Sequence, residues 1–152
     1  MTRKLLIALL LLCFSTAVYS QGKLEDLKSW DGKPTQEIND KGKVTADFFA
    51  LPEVRTPLKR LLSRRDYNLV TKAYAVGSPL KLMGDFLGTS MCRPHNCGDE
   101  RAGLAINLST GDIYVRMQNG KKVRWIVSKG KGSDLPSEVQ DYIGDPAKSA
   151  AR

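Results

Sequence analysis

The spacing of hydrophobic residues changes near the middle of the chain. Between Phe48 and Tyr74 the apolar residues recur at helical intervals, whereas from Leu80 onward they alternate with polar or small residues. Alternation with a period of two is typical of strands that bury one face. The pattern predicts a helical first half and a β-sheet in the second half.

Three short helices are predicted in the helical half. Thr45 is expected to cap the first, which Pro52 ends, and Thr56-Pro57 has the favoured order of cap followed by proline for a second. Asp66 is expected to cap a third helix, which Gly77 ends. The apolar residues of these helices are Phe48, Phe49 and Leu51 in the first, Leu58, Leu61 and Leu62 in the second, and Tyr67, Val70, Ala73 and Tyr74 in the third.

In the second half, the pattern predicts an antiparallel meander of strands, followed by a short closing helix over residues 135–143. Asn119-Gly120 is a strong hairpin signal, because a type I′ turn needs positive φ at both central positions. Gly84-Asp85 and residues 109–112 are predicted as the other turns. The strands are expected over residues 80–82, 86–91, 102–108, 113–117 and 123–127.

Residues 1–20 have the pattern of a secretory signal peptide, with cleavage expected after Ser20. Arg3 and Lys4 precede an apolar run over residues 5–14, and small and polar residues follow it. This run is shorter than the roughly 20 apolar residues that a membrane-spanning helix requires. The sequence therefore predicts export without membrane insertion.

The remaining chain has the size of one ordinary domain. Residues 21–44 are polar and without a sustained period, so they are predicted to form a mobile arm with one docked turn around Leu27 and Trp30. Residues 45–146 are predicted to form a single domain, followed by a frayed tail over residues 147–152. The net charge of +8 falls only slightly with the signal peptide, so the exported protein remains basic.

The most unusual chemistry lies in residues 91–98, M-C-R-P-H-N-C-G, which hold the only histidine, His95. Once Cys13 leaves with the signal peptide, Cys92 and Cys97 form a pair in a compartment where disulfides persist. A disulfide is therefore expected, and together with Pro94 it would order three projecting side chains, Arg93, His95 and Asn96. A loop this polar is expected at the surface.

Cations on an ordered loop suit an acidic cleft. Arg93 is always charged, and an imidazole gains charge readily beside carboxylates. A retaining glycosidase presents two carboxyl groups about 5 Å apart, close enough for one imidazole to contact both.

Cys-Arg-Pro-His-Asn-Cys-Gly closely resembles the Cys-Lys-Pro-His-Asp-Cys-Gly loop of the inhibitor of vertebrate lysozyme (Ivy) family of bacterial periplasmic proteins. The order of helical part, strand, loop, strands and closing helix is also similar, with Trp125 in the last strand. The resemblance implies an α+β fold, a three-layer α/β/α sandwich around an antiparallel sheet. It also implies a periplasmic inhibitor, not an enzyme, whose His95 enters the lysozyme cleft while Arg93, Pro94 and Asn96 shape the approach. Neither a cofactor nor a metal is implied, and a homodimer is conceivable.

Other interpretations remain open. In one alternative, the loop restrains a lytic transglycosylase of the cell's own envelope. In another, the loop is only a structural connection between two strands. Zinc binding by both cysteines and His95, with Asp99 or Glu100, would require reduced thiols in an oxidising compartment. The basic residues are most simply solvated surface, and their more specific interpretation is a polyanion-binding patch, although export argues against nucleic acid as the partner. These basic residues are Lys59, Arg60, Arg64, Arg65, Lys121, Lys122, Arg124, Lys129 and Lys131.

Overall fold

The structure is a computed structural model that describes residues 24–144. The signal peptide over residues 1–20, its cleavage after Ser20 and the tail over residues 147–152 lie outside these residues. The division into an arm over residues 21–44 and a domain over residues 45–146 stays a prediction. Within the described part of the chain, no helix is both long enough and apolar enough to cross a bilayer.

An antiparallel six-stranded sheet forms the centre of the fold, and the α+β prediction is confirmed. Four consecutive strands, β5 to β8, lie side by side as the predicted meander, and β3 and β4 both pair with β5. Two further strands, β1 and β2, form a separate hairpin. The strands are β1 (Gln36–Ile38), β2 (Val44–Asp47), β3 (Val76–Gly77), β4 (Lys81–Met83), β5 (Phe86–Cys92), β6 (Glu100–Asn107), β7 (Ile113–Asn119) and β8 (Lys122–Val127).

Helical elements cover both faces of the sheet, which gives the three-layer sandwich. The helices are α1 (Pro52–Leu61), α2 (Arg64–Asn68) and α3 (Ser137–Gly144), and a π-helical turn, Leu69–Ala73, follows α2. Within residues 24–144, three short 3₁₀ helices lie at Asp26–Trp30, Phe48–Ala50 and Gly132–Asp134.

Alternation along the strands divides their side chains between two cores. One core packs α1 and the N-terminal elements on sheet residues Leu87, Met91, Ala102, Leu104, Ile106, Ile113, Val115 and Met117. The other packs α3 on the opposite face, with Ala105, Tyr114, Leu135, Val139 and Ile143. Trp125 of β8 is half-buried against this second core.

Helix α3 approaches the sheet closely because two strand positions lack a side chain. A Cβ on Gly103 would collide with the backbone of Ile143, and one on Gly88 would press on the side chains of Ile143 and Met83. Both glycines therefore serve close packing of helix on sheet.

The helix boundaries differ from the sequence prediction. Pro52 begins α1 rather than ending a helix, because its missing N–H costs nothing at the first helical position. Pro57 lies inside α1, where burial of Val54 and Leu58 one turn apart outweighs the lost hydrogen bond. Ser63, not Asp66, caps α2, since its hydroxyl oxygen accepts the N–H of Asp66 at 3.1 Å.

The segment around Thr45 is also different from the prediction. Thr45 lies in β2, and the cap of the following 3₁₀ helix is Asp47, whose carboxylate accepts the N–H of Phe49 at 2.9 Å. The hairpin of β1 and β2 was not predicted, because its strands are short and mostly exposed. The docked turn is confirmed as the 3₁₀ helix Asp26–Trp30, whose Leu27 and Trp30 are buried.

The turn between β7 and β8 lies one residue later than predicted. Asn119 pairs with Lys122, so the two loop residues are Gly120 and Lys121. Gly120 has a φ of 56°, and a glycine at the first central position is typical of a type II′ turn.

Candidate functional site

The cysteine loop connects the end of β5 to the start of β6. Cys92 is fully buried in β5, opposite Val76 of β3 and Arg101 of β6. The predicted disulfide between Cys92 and Cys97 is present, with 4.9 Å between the two Cα atoms. The loop therefore begins and ends on the rigid end of the sheet.

A type II turn shapes the tip of the loop. Pro94 and His95 are its central residues, and the N–H of Asn96 donates to the carbonyl of Arg93 at 3.0 Å. Proline suits the first central position, while the second requires positive φ and usually takes glycine or asparagine. His95 holds that position with a φ of 63°, and among residues 24–144 it is the only non-glycine residue with positive φ.

The turn places Pro94 and His95 outward and exposed, while the two flanking side chains reach back to one carboxylate. Arg93 Nε lies 2.7 Å from Glu100 Oε2, and Asn96 Nδ2 donates to the same oxygen at 3.0 Å. The predicted site residues are therefore adjacent, but Arg93 and Asn96 are bound to Glu100 instead of projecting independently.

Glu100 is the residue whose role the sequence did not indicate, since it was considered only as a zinc ligand. Its backbone also closes the loop, because its N–H donates to the carbonyl of Asn96 at 2.9 Å and its carbonyl accepts the N–H of Arg93 at 2.9 Å. These contacts form because the chain returns antiparallel to β5 after the loop. The loop motif does not indicate the pairing register between β5 and β6.

The neighbouring hairpin supports the returning limb of the loop. The N–H of Gly120, at the tip of the β7–β8 turn, donates to the carbonyl of Asp99 at 2.9 Å. The loop is thus held at the disulfide, at Glu100 and at Asp99, while its tip remains exposed.

Charged and aromatic residues lie beneath the loop. Burial raises the pKa of the Tyr74 hydroxyl, and the negative charge of Glu100 raises it further. Arg124 of β8 pairs with Asp66 of α2 at 2.5 Å, and this hydrogen bond lowers the pKa of the Asp66 carboxyl. The helical layer is therefore joined to β8 close to the loop.

The zinc interpretation finds little support in this geometry. Both cysteine sulfurs are joined in the disulfide, so neither supplies a thiolate ligand. In the described range 24–144, no three His, Cys, Asp or Glu side chains are grouped so that they could hold a metal ion.

The fold and the loop together define a class: an α+β protein that presents a short, covalently closed loop with one imidazole at its tip. A model of the family described as inhibitor of vertebrate lysozyme (Ivy) matches residues 53–149. The chain belongs to this family, and membership supports lysozyme inhibition as its general function. Searches of curated proteins and of solved structures found no match.

Proposed function

We propose that the chain inhibits lysozyme by inserting the Cys92–Cys97 loop into the active-site cleft, with His95 between the catalytic carboxyl groups. The observation that carries the proposal is the position of His95, exposed at the tip of a loop held at three points. A loop already ordered before binding loses little conformational entropy on insertion.

The charges of the loop suit this role. The imidazole presents two nitrogens, and a protonated imidazole would donate to both carboxyl groups of a retaining glycosidase. Arg93 keeps its guanidinium half-exposed although its Nε contacts Glu100, so its other N–H groups can still donate to a partner. In this role the chain is not an enzyme, since it binds the catalytic groups of another protein.

The site of action in this proposal is the periplasm. Residues 1–20 would direct export, and the oxidising compartment would form the disulfide on which the loop geometry depends. The partner is a lysozyme, with neither nucleic acid nor insertion into a membrane involved.

The test is the lysis of peptidoglycan-rich cells by a chicken-type lysozyme in the presence of the exported, oxidised protein. The informative variant is His95→Asn, because asparagine adopts positive φ readily and so removes the imidazole while the turn is kept. Ser109→Asn, at the exposed turn beyond the opposite end of β6, is the matched control.

We expect the parent and Ser109→Asn to protect the cells and His95→Asn to lose at least about tenfold in inhibitory potency, as a lost charge-assisted hydrogen bond implies. Equal protection by all three would reject His95 as the inserted group. Absence of protection by the parent at both low and physiological salt would reject vertebrate, chicken-type lysozyme as the target. Lytic transglycosylases would be assayed next with the same variants.

A further inference from the structure

A second candidate site lies away from the loop, in a cavity of about 660 Å³ between α1, α2 and the β1–β2 hairpin. This volume falls within the range of small-molecule binding sites. None of the residues that line the cavity belongs to the Cys92–Cys97 loop.

Four cationic side chains line this cavity: Arg55, Lys59, Arg64 and Lys72. All four are exposed, and within residues 24–144 none has a carboxylate partner within 4.0 Å. Four unpaired cations around one concave surface repel one another and attract anions. An anionic ligand in the cavity would therefore reduce the repulsion between these cations.

The one acidic residue in the cavity wall, Asp47, offsets only one of the four positive charges and forms no ion pair with them. Asp47 accepts the N–H of Phe49 with one carboxylate oxygen at 2.9 Å and the side-chain amide of Gln36 with the other at 3.1 Å. Its carboxylate is therefore occupied by neutral donors that hold the hairpin to the 3₁₀ helix Phe48–Ala50.

The remaining wall offers an aromatic ring and amide groups. Tyr67 is half-buried in the wall, and Lys59 Nζ lies 5.7 Å from the centroid of its ring. Asn68 is exposed and lines the same cavity, as does the amide of Gln36. Aromatic surface beside amide groups suits a sugar ring, which has apolar faces and a rim of hydroxyls, better than a bare anion.

We propose that this cavity binds a saccharide that carries two or more phosphate groups. The arginine guanidinium groups would contact the phosphates in bidentate fashion, Lys59 and Lys72 would add point charges, and Asn68 would bind sugar hydroxyls. The site is separate from lysozyme inhibition, so the two functions can succeed or fail independently. A protein with both would contact phosphorylated envelope sugar through one surface and lysozyme through the other.

The test is isothermal titration calorimetry of the exported, oxidised protein with glucose 1,6-bisphosphate. Glucose, pyrophosphate, adenosine triphosphate and vesicles of phosphatidylglycerol with phosphatidylcholine are the comparison probes. The variant Arg55→Gln with Arg64→Gln removes two cavity cations, and Arg60→Gln with Arg65→Gln removes two exposed cations that do not line the cavity. Both pairs change the net charge equally, and thermal unfolding checks that both variants fold.

We expect the sugar bisphosphate to bind more tightly than any other probe, with an affinity that falls as salt rises. The cavity variant should bind it at least about tenfold more weakly, while the control variant should lose no more than about twofold. Equal losses in both variants would overturn the proposal, since they would show a general charge effect. Tighter binding of pyrophosphate, the nucleotide or the vesicles would also overturn it.

Discussion

Glu100 holds both ends of the loop together through its side chain and its backbone. One of its carboxylate oxygens accepts from both Asn96 and Arg93. Asparagine suits position 96 because its amide can donate, whereas the Asp of the family motif can only accept when ionised. The departure from the motif at Asn96 is thus matched to the carboxylate beside it.

Asn96→Asp would place a second carboxylate against Glu100. We expect the free energy of unfolding at pH 7 to fall by about 1 kcal/mol, because a hydrogen bond is exchanged for repulsion in a partly exposed position. Urea denaturation measures this loss. Asn96→Asp combined with Glu100→Gln should recover most of it, because the glutamine amide can donate to the new carboxylate. A double variant no more stable than Asn96→Asp alone would contradict the pairing.

The loop shows how far sequence reasoning reaches at the level of residues. The motif, together with the predicted export, indicated the disulfide and the surface position, since the motif places both cysteines and the polar residues within six positions. The positive φ of His95 and the role of Glu100 depend on the turn type and on the register between β5 and β6. Register arises from pairing across the sheet and is not encoded in a local motif.

Individual elements were predictable where large apolar residues alternate with small or polar ones. Strands β6 and β7 were predicted nearly to their ends because Leu104, Ile106 and Val115 recur at a period of two, although both faces of these strands are largely buried. Helix α1 was predicted poorly because prolines mark helix starts as well as helix ends. The β1–β2 hairpin has too few buried side chains to produce a detectable period.

The contact between α3 and β6 depends on the absence of a side chain at Gly103. Gly103→Ala would force α3 away from the sheet, because the new Cβ would collide with the backbone of Ile143, which cannot rotate aside. We expect a loss of about 1 to 3 kcal/mol in the free energy of unfolding, as for other overpacked cores. Chemical denaturation of Gly103→Ala beside Gly98→Ala, which meets no atom within 4 Å, tests this. Equal stability of the two variants would refute it.

The bond between α2 and β8 makes stability depend on pH in the acid range. Arg124 lowers the pKa of Asp66 below its ordinary value of 3.8. The resulting stabilisation is fully present above pH 3.8 and is lost as the pH falls through the lower pKa of the folded protein. Asp66→Asn should therefore cost about 1 kcal/mol at neutral pH, with the difference from the parent shrinking in acid.

Urea denaturation at intervals from pH 7 to pH 2 measures this dependence. Asp99→Asn, which removes a carboxylate from an exposed turn, serves as the control. A difference between the parent and Asp66→Asn that stays constant over the whole range would show that Arg124 does not stabilise the ionised form of Asp66.

The charge of the whole molecule governs how fast it meets its partners. The full chain carries a net charge of +8 and stays basic without residues 1–20, so a basic lysozyme and the exported protein repel one another at long range even if the cleft itself attracts the loop. Raising the ionic strength from about 10 mM to about 150 mM shortens the screening length from about 30 Å to about 8 Å. Association with a basic lysozyme should then become several-fold faster, with little change in dissociation.

Stopped-flow mixing at several salt concentrations measures the association rate. The variant with Arg60→Gln and Arg65→Gln carries two fewer positive charges, so its rate should depend less on salt. Association that slows as salt rises would mean that local attraction between the loop and the cleft outweighs the repulsion between the two molecules.

The anchoring of the loop also determines which of its residues are open to exchange. Arg93 and Asn96 are bound to Glu100, and the cysteines are bound to each other, so substitutions at these positions alter the frame. Pro94 and His95 form the turn and do not contact Glu100, so their side chains are not part of this frame. The tip therefore consists of two residues, Pro94 and His95. The turn is kept when a proline is followed by glycine, asparagine or histidine. Under the proposed mechanism, specificity would change by substitution at this tip, whether by natural variation or in the laboratory, while the sheet, both cores and the disulfide stay unchanged.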